Sequence, residues 1–232
     1  MDVERRSVLN GIALTSLAGV TLNSPVLALA NAMPGDQAQP TRPLLTLISG
    51  TVERSGFLQG IAAAPQGKIV EVQRTDLSVG FVQAFNQWLR SEWPIRVIGL
   101  VDDASGAFIV QLARSAGARL QWLGQHSTDG GHSRHRVLST EAADCCSAQL
   151  GQQLRSCGTP YRLDEQRINS AKLHWELPAQ LQERAAIEAS QWPATLGFAL
   201  ASVGSSQAAS APLVDADTLP LLGSFVSFSI ES

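Results

Sequence analysis

The chain has 232 residues, 44% hydrophobic and 16% charged, which is enough apolar material for a sizeable core and unlike the composition of a disordered chain. Its net charge of −3, with 17 lysines and arginines scattered along the sequence, argues against the basic face that nucleic acid requires.

In chain order, the first feature is Glu4-Arg5-Arg6-Ser7-Val8-Leu9-Asn10, followed by an apolar stretch from Gly11 to Leu22. Ala28, Ala30 and Ala32 then offer A-x-A cleavage after Ala30 or Ala32. This segment resembles a twin-arginine export signal, departing from its commonest form by Val8 in place of phenylalanine and Asn10 in place of lysine. The resemblance implies transient engagement of the twin-arginine export machinery and a periplasmic or secreted mature chain. It also implies export in the folded state, often with a cofactor already inserted, although nothing in the composition names one. The alternative is an uncleaved anchor. Gly11, Thr15, Ser16, Gly19, Thr21, Asn23 and Pro25 dilute the run below the roughly 20 apolar residues of a spanning helix. The expected organisation is a cleavable signal over 1–32, a proline-bearing linker over 33–43 and one α/β domain over 44–232.

Leu44 to Ile48 predicts a first buried strand, ending at Ser49-Gly50-Thr51. Phe57, Leu58, Ile61 and Ala62 recur at helical spacing and stop before Pro65-Gln66-Gly67. Lys68 to Val72 alternates as a second strand. Asp76 stands as the expected N-cap of a helix carrying Val79, Phe81, Val82, Phe85 and Leu89, which Pro94 terminates.

The central unit follows. Apart from Arg96, Ile95 to Val101 is apolar and rich in β-branched residues, and it stops at Asp102-Asp103. Ser105-Gly106 opens a helical segment with Ala107, Ile109, Val110, Leu112 and Ala113, closed by Gly117 as a C-cap glycine. Ala118 to Leu123 is a further short strand, so the whole reads as a βαβ unit.

Beyond Thr128, the run Asp129-Gly130-Gly131-His132-Ser133 reads as a turn and His135 to Leu138 as a short strand. Ala142 to Ser156 predicts a helix ended by Gly158-Thr159-Pro160, and Tyr161 to Ile168 a polar strand near an edge. Ser170 to Ile187 holds Trp175 in a helical pattern broken by Pro178. Pro193 to Val203 predicts an apolar helix with proline in its first turn, Gly204 to Ala211 a loop and Ser224 to Ile230 a closing strand. Roughly five or six strands alternating with helices give an α/β three-layer αβα sandwich with a mostly parallel central sheet, Rossmann-like or flavodoxin-like.

The three cysteines are an odd number for an exported chain. In an unbroken helix Cys146 and Cys157 stand about 16 Å apart along the axis, beyond the roughly 7 Å a disulfide allows. No structural disulfide is expected, Cys146 and Cys157 are assigned to the core, and Cys145 is left as a candidate thiol. The five tryptophans are expected to pack in the core or at its edge.

In open α/β sheets ligands bind beyond the carboxyl ends of the strands. Three expected strands end in polar residues: Ser49-Gly50-Thr51, Asp102-Asp103 and Gln125-His126-Ser127-Thr128. If these tips converge, Asp102, Asp103 and His126 are catalytic candidates and Ser49, Gly50 and Thr51 are cofactor-binding candidates. One aspartate of the pair is expected to serve as a helix cap. His126, His132 and His135, three of the four histidines, fall close together around Asp129, and these four are the metal candidates, with Asp102 or Asp103 able to complete the shell. Their spacing matches no specific metal motif, and a solvated loop with His126 alone facing the crevice is the plainer reading. Gly50, Gly56 and Gly60 fit neither a dinucleotide fingerprint nor a Walker loop, and neither a G-x-S-x-G elbow nor a C-x-x-C-H haem site occurs. Three readings stand: an accessory or binding component of a periplasmic system, with a protein partner in view; a metal-dependent hydrolase or related enzyme; and a cofactor-carrying redox protein.

Overall fold

Short β-branched runs alternating with amphipathic segments give strands that are apolar on one or both faces and helices with an apolar stripe, and both bury those surfaces by stacking in layers. The computed structural model describes residues 43–232 apart from 66–69, 93, 130–131, 141–142, 157–160, 168–171, 178–189, 204–210 and 215–217. The segment that resembles an export signal, the expected linker up to residue 42, Cys157 and the expected loop at 204–210 lie outside the described residues. Among the described residues eight strands run in chain order: β1 (Leu44–Ile48), β2 (Val70–Arg74), β3 (Arg96–Asp102), β4 (Arg119–Thr128), β5 (Ser133–Ser139), β6 (Tyr161–Arg167), β7 (Lys172–Leu177) and β8 (Gly223–Glu231). The five α-helices described are α1 (Phe57–Ala63), α2 (Val79–Leu89), α3 (Asp103–Ser115), α4 (Asp144–Ser156) and α5 (Gln191–Ala201).

The strands form one sheet in the order β2-β1-β3-β8-β4-β5-β6-β7. β1, β2, β3, β4 and β7 share one direction, so most of the sheet runs one way, while β5, β6 and β8 oppose them. The first four strands follow the flavodoxin-like order 2-1-3-4, with β8 slotted antiparallel between β3 and β4. Helices cover both faces. On one, Phe57 and Ile61 of α1, Leu150 and Leu154 of α4 and Trp192 and Leu196 of α5 pack on Leu44, Ile48, Ile98, Leu100, Trp122, Val137 and Leu163. On the other, Phe81, Phe85 and Leu89 of α2 and Ile109 and Ala113 of α3 pack on Leu45, Leu47, Val97, Val101, Phe228 and Ile230. The molecule is therefore a three-layer αβα sandwich of the α/β class. Its second helical layer stops at α3, and the adjoining face of β4, β5 and β6 presents Gln125, Ser127, Arg134, Arg136, Arg162 and Gln166 to solvent.

α5 is buried along its whole length, which explains why it shows no polar face. It crosses α1 backbone against backbone. A Cβ on Gly60 would stand 1.9 Å from the Ala194 carbonyl oxygen, and one on Gly197 would stand 2.3 Å from that of Phe57. Arg96, the charged residue within the otherwise apolar run from Ile95 to Val101, is buried and donates to the carbonyls of Val203 and Ala201 at the carboxyl end of α5. There it satisfies orphaned helix carbonyls and complements the negative end of the helix dipole.

Several boundaries move. The second strand lies at 70–74 rather than 68–72. The cap of α2 is Ser78, whose hydroxyl accepts from Phe81 N at 3.2 Å, while Asp76 accepts from Ser78 N and so braces the cap. Gly117, at φ +79°, closes α3 as expected, with Ala118 N donating to Ala113 O in the doubled terminal turn typical of such glycines. The segment read as a broken helix around Trp175 is instead strand β7, paired antiparallel to β6 with Trp175 opposite Leu163. A partner strand decides between the two states when a six-residue run fits both. Cys146 is a buried thiol that donates to Ala199 O.

Candidate functional site

The site is built on the β4–β5 hairpin. β4 extends ten residues to Thr128, so Gln125 to Thr128 belong to the strand rather than to its exit loop. The antiparallel register sets His126 opposite His135, Gln125 opposite Arg136 and Ser127 opposite Arg134. Because side chains alternate along a strand, the two histidines share one face and the four polar residues share the other. Asp129 closes the turn by accepting from His132 N at 3.0 Å.

On the covered face, His126 and His135 lie beneath Trp192, whose ring centroid is 5.3 Å from each imidazole. Their Nδ1 atoms meet at 2.7 Å, His126 Nε2 meets Ser227 Oγ at 2.7 Å, and His135 Nε2 meets Ser133 Oγ at 2.9 Å. Trp122 Nε1 donates to Ser227 Oγ at 2.8 Å. Every imidazole nitrogen is thus occupied by a protein partner. Gly124 makes room for this chain, since a Cβ there would lie 2.5 Å from both His126 Nε2 and Ser227 Oγ. Burial lowers the pKa of both imidazoles by desolvating the charged form. His135 is pushed down to about 3, with repulsion from His132 as the smaller cause, and His126 falls well below its ordinary value, with repulsion from His135 second. Both rings are neutral at pH 7, so one Nδ1 carries the shared proton and the other accepts it.

On the open face, a cleft of about 270 Å³ is lined by Asp103, Gln125, Ser127, Arg134, Arg136, Ser224 and the strand at His126. Ser224 of β8 sits opposite Ser127, so the cleft crosses three strands and ends at the first turn of α3. None of these six polar side chains makes a hydrogen bond or ion pair with a described residue. Asp164, next to Arg136 in the β5–β6 register, is bound to Arg162 at 3.1 Å.

The expected crevice is thus formed only in part. β1, β3 and β4 do run the same way and end at one rim. Asp102, however, turns back to cap α3, accepting from Ser105 N at 3.0 Å and Ser105 Oγ at 2.8 Å. Asp103 reaches the cleft, whereas the His126 side chain lies under the sheet, so the two occupy opposite faces. Ser49 and Thr51 meet through their hydroxyls at 3.3 Å at the tip of β1, and neither they nor Gly50 line the cleft. Of the metal candidates, His126 and His135 come together while His132 and Asp129 stay at the turn. Two imidazoles on one tetrahedral zinc, bonded at about 2 Å, stand about 3.3 Å apart. At 2.7 Å this pair bonds to itself, and no group of three possible ligands occurs among the described residues. Arg134, Arg136 and Ser224 were not singled out by the sequence. The available signal was Arg-His-Arg at 134–136, which in a strand throws both guanidinium groups to one side.

Comparison with family models, curated proteins and solved structures yields no match. No described helix is long and apolar enough to cross a membrane.

Proposed function

We propose that this chain is an exported α/β binding component that holds a small anionic ligand in the cleft between β4, β5 and the start of α3. The reading is supported above all by the contrast between the two faces of one hairpin. The buried polar groups of the histidine chain are paired, while every polar side chain lining the open cleft is left without a described partner. Two guanidinium groups converging on one concavity favour carboxylate or phosphate, which they meet in a planar, forked geometry. The resemblance of the segment around Arg5-Arg6 to an export signal supports a binder that works outside the cytoplasm. The metal-dependent alternative draws less support, because the imidazoles it needs are engaged with each other and with two serines.

Thermal unfolding in a panel of inorganic phosphate, succinate and free amino acids tests the binding reading. A ligand present at a hundred times its dissociation constant stabilises the native state by about 2.7 kcal/mol. At least one probe should raise the Tm, and Arg134→Ala/Arg136→Ala should abolish that rise while leaving the unliganded Tm within a few degrees. A panel with no arginine-dependent shift would overturn the assignment. Export is tested separately: residues 1–43 should carry a folded reporter out of the cytoplasm, and Arg5→Lys/Arg6→Lys should stop it.

A further inference from the structure

The cleft is not uniformly cationic. Arg134 and Arg136 stand on β5, and because alternate residues on a strand are about 6.6 Å apart their guanidinium groups can close on one anionic group. Ser127 and Ser224 follow on the next two strands of the register, about 4.8 Å per step. Asp103 stands beyond them at the base of α3. Opposite charges thus face each other across roughly 10 Å or more of neutral hydrogen-bonding floor. They do not pair with one another, and none has another described partner.

Asp103 is not needed to cap α3, because Asp102 already accepts from Ser105 N and Ser105 Oγ. Nor does it suit a plain anion, which it would repel. A cleft of about 270 Å³ matches a small occupant.

Resting on the binding reading above, we infer that the ligand is a small zwitterion whose opposite charges stand several bonds apart, an ω-amino acid, with its carboxylate at Arg134 and Arg136 and its ammonium toward Asp103. Gln125, Ser127 and Ser224 line the floor between the two ends, where their polar groups can bond the carboxylate or the ammonium.

Isothermal calorimetry on the mature chain tests this with linear ω-amino acids from β-alanine to aminohexanoate, glycine as the short control and, for the tightest of them, the same acid lacking its amino group. The deaminated acid should bind at least ten-fold more weakly. Asp103→Asn should weaken the amino acid at least ten-fold, leave the deaminated acid within two-fold and leave the Tm unchanged, and Asp103→Glu should recover part of the loss. Arg134→Ala/Arg136→Ala should abolish both. If the deaminated acid, or succinate or phosphate, binds in an arginine-dependent way as tightly as any amino acid, the zwitterion inference fails and the anion site stands. If nothing binds and the arginine variants change nothing, both fail together.

Discussion

At the scale of single residues, the buried His126–His135 pair ties stability to pH. Both imidazoles titrate near 6.5 when unfolded, and burial holds both neutral in the fold down to much lower pH, about 3 for His135. Between those limits the unfolded state binds more protons than the native one, so native stability falls as pH falls. Above about 6.5 neither state binds the proton and this dependence vanishes. One added proton can be hosted by the pair. A second would set two N–H groups head-on at 2.7 Å, so the rings titrate as a unit. Urea denaturation at pH 5.0, 6.0 and 7.5 should show ΔG dropping toward acid by up to about 1.4 kcal/mol per pH unit for each histidine, and His135→Gln should flatten the slope. An unchanged slope in that variant would mean that carboxylates dominate. Gly124→Ala probes the same chain sterically, because its new methyl falls on His126 Nε2 and Ser227 Oγ together. The loss expected at pH 7.5 is about 1–3 kcal/mol, with a shallower acid slope as the buried pair loosens.

At the scale of elements, apolar periodicity located β1, α1, α2, β3, α3 and α5 because each buries a stripe or run of plainly apolar residues. It failed where buried positions are polar. In β4 the inward set is Trp122, Gly124 and His126, and in β5 it is Ser133, His135, Val137 and Ser139, so alternation by hydropathy fades and both strands of the hairpin read shorter than they are. The same fading hid half of the candidate site: Asp103, Gln125 and Ser127 were visible as polar strand ends, Arg134 and Arg136 were not. Arg96 shows the converse, a charge in an apolar strand that makes sense only once the end of α5 lies beside it. Arg96→Met should orphan two buried carbonyls and lower stability by about 2–4 kcal/mol. Arg96→Lys should recover part of that, since one ammonium cannot reproduce the planar fork. Chemical denaturation of the three proteins checks the order; equal stability of wild type and Arg96→Met would show that water serves those carbonyls as well.

At the scale of the whole molecule, the decisive step is one that local sequence cannot encode. Ser224 to Ile230 reads as a strand from its own residues, but its place in the sheet depends on partners more than 90 positions earlier. β3 and β4 leave a strand-wide gap that only β8 fills, bonding to both along nearly its full length. On one face it carries Phe228 and Ile230 into the α2–α3 core, and on the other Ser227 into the histidine chain. The two halves of the sheet are therefore joined through the last strand of the chain, a long-range pairing that makes folding wait for loop closure. Hydrogen exchange should rank the strands accordingly. Amides of β8, β3 and β4 should open only with global unfolding, and those of the edge strand β2 should open earlier. A chain ending at Leu222 gives the sharper test. Without β8, β3 and β4 would each expose an unpaired edge and lose the Phe228 and Ile230 packing, so the loss should spread to β1 and α2 rather than stay local. Such a chain should show an expanded radius and no cooperative urea transition, and a peptide of residues 223–232 added in excess should restore part of the native signal. If the shortened chain still unfolds sigmoidally within about 2 kcal/mol of the full-length protein, a small fraction of a typical domain's 5–15 kcal/mol, β8 closes the sheet without organising it.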